Sequence, residues 1–378
     1  DELRTLPGFA QSFLPRGRAP RVGELFQFAA AARALRAIGS SQGGAFYGGE
    51  IAHAIERFSS QHGGSLTAAD FAAYRPEWVQ PISQSYRGYT LHEIPPNGQG
   101  IAALIALGIL GQFDVAALSV DGVDSQHLQV EAMKLAFADV YRYVAEPAGM
   151  QVTPAQMLEP SYLASRARLI DMKRAQNFGA GNPVKGGTIY LSAADESGMM
   201  VSFIQSNYMG FGSGCVEPTF GVSLQNRGHS FSLEANALNP ANLVAPGKRP
   251  FHTIIPAFLT KDGQPVMSYG VMGANMQPQG HMQTLVRMLD YGQNPQAACD
   301  APRWRYHEGM DLNVEPAMNA ATVQGLRDRG HVITPINGAG NSYQDFGAGQ
   351  FIWRMGDPGR EGYLAASDPR RDGQAVGF

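Results

Sequence analysis

The sequence is poor in cysteine and in charge, and it has no long apolar run. Two cysteines, Cys215 and Cys299, are too few for a disulfide framework and lack the spacing of a metal site, so we expect two buried thiols. No apolar stretch reaches the ~18–20 residues of a membrane-spanning helix. Charged residues make up 16% of the chain and the net charge is −3, so neither nucleic acid nor a membrane is expected as a partner.

The chain begins at Asp1, with no methionine and no signal-like apolar core. Such a start is typical of a fragment or a processed product and leaves the compartment open, with cytoplasmic favoured over periplasmic. Glycine and proline, in contrast, are plentiful, with 45 and 24 residues. This abundance indicates a turn-rich chain with many short strands.

The chain changes character near its middle, from helix-rich to strand-rich. Hydrophobic periodicity predicts helices over 22–38, 50–58, a short segment capped by Thr67, 100–110, 124–144, 160–173, 278–289, 295–301 and 319–329. Alternation and turn residues predict a strand or a hairpin over 82–94 and strands over 189–194, 200–206, 220–225, 251–259, 266–271, 331–335 and 349–354. Residues 174–187 are rich in Gly, Pro and Asn and are predicted to form an exposed linker.

The stretch Gly186-Gly187-Thr188 joins the two halves and is followed by alternating apolar residues, which predict a turn leading into a strand. Threonine is a good strand former, so on this pattern alone Thr188 is an ordinary strand residue. Its hydroxyl also makes it a candidate nucleophile. The surrounding motifs decide between the two interpretations.

Many motifs occur in an order that resembles the γ-glutamyltranspeptidase family. The match begins with Thr188–Asp195 and continues through Phe211–Gly214, Leu224–Asn226, Gly247–Pro250, Gly270–Ala274, Ala301–Arg303, Gly347–Gln350 and Ala366–Arg370. Upstream, the segments Gly49–Ala52, Tyr86–Tyr89, Pro95-Pro96 and Glu131–Lys134 are similar to the second half of the family's large subunit. The resemblance covers essentially the whole chain.

The resemblance implies an α+β fold of the N-terminal-nucleophile hydrolases, a four-layer αββα sandwich with two stacked antiparallel sheets between helical layers. Residues 1–187 then correspond to the C-terminal half of the large subunit, and residues 188–378 to the small subunit, together forming one domain. The resemblance also implies a proenzyme that cuts itself between Gly187 and Thr188, leaving a heterodimer of its own two halves. No metal and no organic cofactor is implied.

The chemistry of Thr188 explains why cleavage matters. A neutral hydroxyl is a poor nucleophile and needs a neighbouring base. Once Thr188 begins a chain, its α-amino group, with an ordinary pKa of about 7.7–8.0, can accept the hydroxyl proton. Before cleavage Thr188 must attack the preceding carbonyl group, and the Gly186-Gly187 pair tolerates the strained backbone that this attack requires.

Three further residues match catalytic positions of the family. Ser206 stands where the family has a hydroxyl that hydrogen-bonds the nucleophile, although a strand serine bonded to backbone is the plainer interpretation. Gly273 and Ala274 stand where the family places a Gly-Gly pair whose N–H groups form the oxyanion hole. Alanine keeps the N–H donor if its backbone φ is suitable, and an ordinary glycine turn after a strand is the alternative.

The substrate positions differ from those of the family. The acidic residue that holds a substrate α-amino group is replaced by Ser230, and a neighbouring Asn by Tyr208. Arg227, His252 and Thr253 take the places of a Gln and two serines near the substrate carboxylate. Because a charge partner for an ammonium is lost and cationic groups are gained, we expect an acyl group that carries a carboxylate and needs no α-amine.

Finer motifs around Gly210–Gly214, Gln225–Gly228 and Met276–His281 resemble the branch with cephalosporin-acylase-like proteins and oxamate amidohydrolase. The leading hypothesis is therefore an amidohydrolase acting on small carboxylate-bearing amides, oxamate-like or glutaryl-like. A γ-glutamyl hydrolase or transferase acting on glutathione-like donors is the alternative enzyme. A scaffold or partner chain unable to process itself is the third hypothesis, motivated by Ala274 and by a substrate-binding arginine that the family carries upstream of the region matched here.

Overall fold

The structure is a computed structural model that describes residues 2–178, 187–234, 237–334 and 346–378. The chain folds into two compact units, Asp1–Trp78 with Asn207–Arg227 and Val79–Ser206 with Gly228–Phe378. The division into 1–187 and 188–378 concerns the cleaved protein and stays a prediction. In the described residues, no helix combines the length and the apolar composition that crossing a membrane requires.

The described helices follow the predicted order along the chain. They are α1 (Phe9–Phe13), α2 (Ala29–Ser40), α3 (Gly44–Tyr47), α4 (Glu50–Gln61), α5 (Ala68–Ala73), α6 (Ile101–Leu110), α7 (Val123–Tyr143), α8 (Pro154–Met157), α9 (Pro160–Ala167), α10 (Met276–Leu289), α11 (Pro295–Asp300) and α12 (Ala320–Asp328). Thr67 caps α5 as predicted, because its side chain accepts from Asp70 N and the Asp70 carboxylate accepts from Thr67 N.

The described strands are β1 (Ile82–Tyr86), β2 (Tyr89–Glu93), β3 (Gly187–Ala194), β4 (Met200–Tyr208), β5 (Val216–Glu217), β6 (Val222–Ser223), β7 (Ala257–Lys261), β8 (Gln264–Met272), β9 (Trp304–Tyr306), β10 (Asp311–Val314), β11 (Val332–Ile333), β12 (Ala348–Arg354) and β13 (Tyr363–Ser367). The largest sheet has the order β1-β2-β7-β8-β12-β13, and each of its pairs is antiparallel. A smaller sheet, β11-β10-β9, contains one parallel pair, β10 with β11. The expected mixture of helices and antiparallel sheets is confirmed, whereas the four-layer arrangement stays a prediction.

Helix α6 forms the centre of the second unit. All ten of its residues are buried, as its continuous apolar sequence requires. It packs on β1, α7, α9 and α10, and these contacts join the large sheet to the helices beside it. The first unit has its own small core of Ala34, Ile51, Ala54, Ile55 and Phe220.

Several predicted elements are shorter in the structure. Helix α2 begins at Ala29 and not at Val22, because Val22 and Leu25 are 107% and 80% exposed and Gly23 has a left-handed φ of 77°. The strand expected over 251–259 forms only from Ala257 onward. Upstream of that point, His252 makes an isolated parallel bridge with Gly98.

The remaining differences are local. Helix α9 ends at Ala167, and the strand expected over 220–225 is reduced to β6. Residues 179–186, most of the predicted linker and including Gly186, lie outside the described residues. Cys299 is a buried thiol as expected, but Cys215 is only half-buried, because it lies beside short β5 in the smaller unit.

Candidate active site

Thr188 and Ser206 meet across a hairpin. Thr188 lies near the start of β3 and Ser206 lies in β4, the paired strand that follows. Asp195 closes the turn between the strands, where Asp195 N donates to Met199 O at 3.1 Å. Both hydroxyl-bearing residues are half-buried, and Thr188 Oγ1 donates to Ser206 Oγ at 3.2 Å. The predicted nucleophile therefore has a hydroxyl partner within hydrogen-bonding distance.

A cluster of hydroxyl groups attaches this hairpin to β8. The Tyr190 hydroxyl lies 2.7 Å from Ser202 Oγ and 3.4 Å from Ser268 Oγ, and Ser192 Oγ donates to Ser268 O at 3.2 Å. The Tyr190 ring lies so close to Gly270 that a Cβ atom built there would be 2.5 Å from Tyr190 Cε2. Glycine at 270 is therefore what allows the hairpin to approach β8.

These contacts also define the direction of the two strands. Ser192 contacts Ser268 and Tyr190 contacts Gly270, so β3 and β8 run in opposite directions where they pack. Extended by two residues, the same spacing predicts Thr188 at the level of Met272. The next residue after Met272 is Gly273, the first of the predicted oxyanion-hole residues.

The loop after β8 has an unusual backbone. Gly273 has φ of 127° and Ala274 has φ of 53°, so both lie at positive φ. Alanine in this left-handed region is strained, by an amount on the order of 1–3 kcal/mol, and persists only where its surroundings hold it. Ala274 is buried, and its carbonyl accepts from Gln277 N at 3.2 Å. Its backbone adopts the φ that a glycine would favour, which the sequence left open.

His252 and Thr253 lie beside the segment that precedes α6. His252 N donates to Asn97 O at 2.9 Å, and Gln99 N donates to His252 O at 3.0 Å. Ile254 N donates to His252 Nδ1 at 3.2 Å, so the neutral imidazole ring carries its proton on Nε2. Thr253 is 2% exposed. In its neutral form, His252 can therefore act as a hydrogen-bond donor through Nε2.

Ser230, the replacement for the family's acidic residue, presents a buried hydroxyl. Asn242 Nδ2 donates to the backbone Ser230 O at 2.6 Å. Ser230 Oγ itself is buried and has no hydrogen-bond partner within the described part of the chain. A buried polar atom of this kind needs an explanation, and contact with a bound molecule is one.

Tyr208 and Arg227 belong to the first unit, where they contact each other. The Arg227 guanidinium carbon lies 4.5 Å from the centre of the Tyr208 ring, a cation–π distance. Both residues are buried at 3% exposure, and burial lowers the pKa of Arg227 to about 10. Their assignment to substrate binding rests on the sequence resemblance alone. Arg249, within the motif Gly247–Pro250, pairs with Glu146, with Nη2 2.9 Å from Oε1.

Two further histidines, His229 and His281, differ in burial. His229 is exposed, whereas His281 in α10 is fully buried behind β8. Val271 N donates to His281 Nε2 at 3.1 Å, so the ring proton lies on Nδ1, which is 2.7 Å from Glu93 Oε1. Burial lowers the pKa of His281 to about 3 and raises the pKa of Glu93 well above its usual value. A neutral pair thus supports β8 just before the oxyanion loop.

A second buried cluster has the composition of a metal site. His127, Glu131 and His331 place potential ligand atoms within 4.8 Å of one another. Lys134 lies among them, donating from Nζ to Glu131 Oε1 at 2.8 Å and lying 3.5 Å from His331 Nδ1. The Lys134 ammonium therefore already supplies a positive charge to this cluster.

The proton positions of this cluster follow from its partners. His127 Nε2 faces the backbone Asp171 O at 2.9 Å, and a carbonyl can only accept, so this nitrogen carries the proton. In the neutral ring His127 Nδ1 then accepts from His331 Nε2 at 2.8 Å, which leaves His331 Nδ1 to accept from Lys134. Hydrogen bonds thus account for the ring nitrogens without a metal ion.

Sequence reasoning missed the residues that support the site from behind. Gln99, Tyr190, Glu93 and Gly270 each connect segments that are far apart in the chain. Gln99 directly precedes the helix predicted over 100–110 and was given no role, and Gly270 lies in the strand predicted over 266–271. The one available signal was the resemblance of Gly270 to a family motif, which carried no role for it.

Comparisons with known proteins come from a family model, curated relatives and solved structures. The family model described as "Gamma-glutamyltranspeptidase" matches residues 1–378. The glutathione hydrolase-like YwrD proenzyme of Bacillus subtilis (strain 168) is 36% identical, with 100% of this chain and 70% of the relative covered. The oxamate amidohydrolase proenzyme of Klebsiella pneumoniae subsp. pneumoniae is 34% identical, with the same coverage.

The solved structures include a cephalosporin acylase from Bacillus halodurans. It is 48% identical, with a TM-score of 0.90, and the match covers 100% of this chain and 67% of the acylase chain. The described helices and strands therefore follow an arrangement already observed in an acylase.

Proposed function

Because the chain belongs to the gamma-glutamyltranspeptidase family, we propose that it is a self-processing amidohydrolase with Thr188 as its nucleophile. The observation that carries the proposal is the Thr188 Oγ1 to Ser206 Oγ hydrogen bond, at the start of a hairpin that packs on the strand leading to Gly273 and Ala274. In this proposal the described sheets and helices belong to a four-layer αββα sandwich, and the two products of cleavage remain together as a heterodimer.

The first reaction is cleavage between Gly187 and Thr188. The Thr188 hydroxyl attacks the Gly187 carbonyl carbon, the C–N bond breaks, and the resulting ester is hydrolysed by water. The products are a carboxylate on Gly187 and a free α-amine on Thr188. Each later turnover uses that amine as the base for the hydroxyl of the same residue.

The second reaction is hydrolysis of an amide substrate. Thr188 Oγ1 attacks the substrate carbonyl carbon, and the backbone N–H groups of Gly273 and Ala274 stabilise the negative oxygen that forms. The C–N bond then breaks, the leaving amine takes a proton from the Thr188 α-ammonium group, and an acyl-Thr188 ester remains. Water attacks this ester, returns the hydroxyl and releases a carboxylic acid. Ser206 holds the Thr188 hydroxyl in position before the attack.

The proposed substrate is a small amide whose acyl group carries a carboxylate, oxamate-like or glutaryl-like. His252 supports this choice because its neutral ring donates from Nε2, and Thr253 adds a neighbouring hydroxyl. Ser230 supports it because a neutral hydroxyl replaces the acid that would hold an α-ammonium group. Arg227 and Tyr208 are proposed contributors on the resemblance alone.

A γ-glutamyl hydrolase or transferase is the second candidate, favoured by the glutathione hydrolase-like name of one relative. Ser230 argues against it. The two candidates are separated by measuring kcat/KM on oxamate, a glutaryl amide and a γ-glutamyl anilide. We expect the carboxylate-bearing amides without an α-amine to be the better substrates.

Replacing Thr188 tests the proposal directly. We expect the wild-type protein to give two fragments of similar size on a denaturing gel, with a free N-terminal Thr188 by mass spectrometry. Thr188→Ala should remain one chain and hydrolyse none of the three amides, because it lacks the attacking oxygen.

Ser197→Ala, in the exposed turn of the same hairpin, is the matched control and should cleave like the wild type. Normal cleavage of Thr188→Ala would contradict the proposed nucleophile. A wild-type chain that stays intact and inactive would support a non-enzymatic scaffold instead.

A further inference from the structure

The side chain of Gln99 lies between the oxyanion loop and the candidate carboxylate-binding segment. Gln99 is fully buried, at 0% exposure. Its Nε2 donates to Thr253 O at 2.8 Å and to Ala274 O at 2.8 Å. Its backbone N donates to His252 O at 3.0 Å. One residue thus bonds both segments that the proposed reaction requires.

Only a primary amide satisfies this arrangement. Both atoms that face Gln99 Nε2 are backbone carbonyl oxygens, which accept and cannot donate, so the amide nitrogen with its two hydrogens must point toward them. On the other side, Asn275 Nδ2 lies 3.5 Å from Gln99 Oε1. A carboxylate in the same place would set a negative oxygen against two carbonyl oxygens and leave both without this donor.

The bond to Ala274 O acts on the strained part of the loop. Ala274 holds φ at 53°, a conformation that an alanine leaves unless its neighbours prevent it. In the proposed reaction its N–H group faces the developing oxyanion, and a change in φ changes the orientation of this N–H relative to the Ala274 carbonyl. A donor fixed on the Ala274 carbonyl resists this rotation, and Gln99 is held by its own backbone bond to His252.

We propose that Gln99 is a positioning residue that keeps the Ala274 oxyanion donor in register with the His252–Thr253 segment. The inference rests on the proposed function and adds a role that the nucleophile and its hydroxyl partner do not supply. Gln99 lies in the fragment before the cleavage site, whereas Thr253 and Ala274 lie in the fragment after it. The first fragment therefore shapes the active site that the second fragment contains.

Kinetics of Gln99→Ala and Gln99→Met test the proposal on the cleaved, folded protein. Both variants remove the two donors, and Gln99→Met nearly keeps the side-chain volume. Because the oxyanion contact forms only in the transition state, we expect kcat to fall by roughly 10- to 100-fold, less than the ~10²–10³ typical of losing one such donor outright, because the Ala274 N–H itself remains. We expect KM to rise less, through movement of Thr253.

Gln99→Glu distinguishes a positioning role from a purely structural one through the pH dependence of kcat. Burial beside two carbonyl oxygens raises the pKa of the new carboxyl group. When protonated, this group can donate one hydrogen bond to a carbonyl oxygen. We therefore expect the ratio of variant kcat to wild-type kcat to increase as the pH falls from 8 to 5. Protonation of the Thr188 amine affects kcat in both proteins alike, so its effect cancels in the ratio.

Gln283 is the matched control. It is also a buried glutamine whose Nε2 donates to two backbone carbonyls, Gln279 O at 3.2 Å and Trp304 O at 3.0 Å, away from the oxyanion loop. Gln283→Met and Gln283→Glu should lower the melting temperature without lowering kcat of the folded protein. Their kcat relative to wild type should not change with pH.

Each result has a separate consequence. Unchanged kcat in Gln99→Ala and Gln99→Met, with an active wild type, overturns the positioning role and leaves the proposed function intact. So does failure of all Gln99 variants to fold while the Gln283 variants fold, because Gln99 is then structural. A wild type without amidase activity overturns the proposed function, and this inference with it.

Discussion

Individual residues determine how closely Thr188, the proposed nucleophile, approaches the strand β8. Tyr190 follows Thr188 by two residues, and its ring rests on the bare Cα of Gly270. The ring is 6% exposed, and its hydroxyl is shared among three serines, so it cannot move without breaking those bonds. The position of Thr188 therefore depends on the absence of a side chain on the neighbouring strand.

Gly270→Ala tests this dependence. The added Cβ would lie 2.5 Å from Tyr190 Cε2, so the hairpin must move away from β8. We expect kcat for the amide substrates to fall at least tenfold, because small displacements of reacting groups cost about 10²-fold in rate. Gly39→Ala, where a Cβ meets nothing within 4 Å, should leave kcat unchanged. Wild-type rates in Gly270→Ala would show that the Tyr190 contact does not position Thr188.

At the scale of elements, β8 is supported by α10 and β2 through a buried pair. His281 of α10 accepts from Val271 N of β8, and its other ring nitrogen lies against Glu93 of β2. Glu93 Oε2 is buried without a hydrogen-bond partner in the described ranges. A charged carboxylate with one such oxygen is costly, so we interpret Glu93 as a neutral carboxylic acid that accepts from His281 Nδ1.

Glu93→Gln should therefore fold, and its free energy of unfolding should depend less on pH than that of the wild type. Burial raises the pKa of Glu93 above its unfolded value of 4.5. The stabilisation that the protonated Glu93 gives the folded protein is therefore present at low pH and is lost as the pH rises toward the folded pKa. Glutamine keeps the accepting oxygen and cannot ionise. We expect the free energy of unfolding of Glu93→Gln, measured with urea, to fall less than that of the wild type between pH 5 and pH 8.

Glu196→Gln, at an exposed position in the hairpin turn, is the control and should follow the wild type. Severe destabilisation of Glu93→Gln at every pH would instead show that Glu93 is charged in the folded protein.

At the scale of the whole molecule, the proposed cleavage site divides a shared sheet. Strands β1 and β2 precede Thr188, whereas β7, β8, β12 and β13 follow it, and β2 pairs with β7 through Leu91 and Leu259. The His127–His331 and Lys134–His331 contacts also cross the site. Two fragments joined in this way share one core and should unfold together.

Acid should weaken this association through His331. Burial and the neighbouring Lys134, His127 and Arg329 lower its folded pKa to about 2, from 6.5 when unfolded. The stabilisation that neutral His331 gives the folded protein is present above pH 6.5. It is lost as the pH falls toward 2, because this histidine takes up its proton in the unfolded chain at a higher pH than in the folded one. We expect the cleaved protein to unfold in urea in one transition. The urea concentration at the midpoint of this transition should decrease as the pH is lowered from 7 to 4.

His331→Gln should lose less stability over the same pH range, because glutamine keeps a donor toward His127 Nδ1 and cannot be protonated. Burial also lowers the pKa values of His127 and His281, so part of the dependence of stability on pH should remain in this variant. The exposed His53, as His53→Gln, is the control. An equal slope in His331→Gln and the wild type would exclude His331 as the acid-sensitive group.

Much of the molecule follows from local sequence. Apolar periodicity placed α4 and α7, and alternation around the Asp195 turn placed β3 and β4, because these patterns act between residues close in the chain. The same pattern placed the start of α2 seven residues too early, at Val22 instead of Ala29, because Val22 and Leu25 are exposed and do not pack on the rest of the chain. It also failed at His252, which pairs with Gly98 instead of extending β7.

The sequence by itself determined the family, the nucleophile Thr188 as a hypothesis, and the two strands that carry Thr188 and Ser206. Only the tertiary structure decided what holds these residues in place: Gly270 beneath Tyr190, the neutral Glu93–His281 pair, and Gln99 between Thr253 and Ala274. The physical reason is sequence separation. A hydrogen bond from residue 99 to residue 274 leaves no periodic pattern in the chain, because it depends on folding that brings distant segments together.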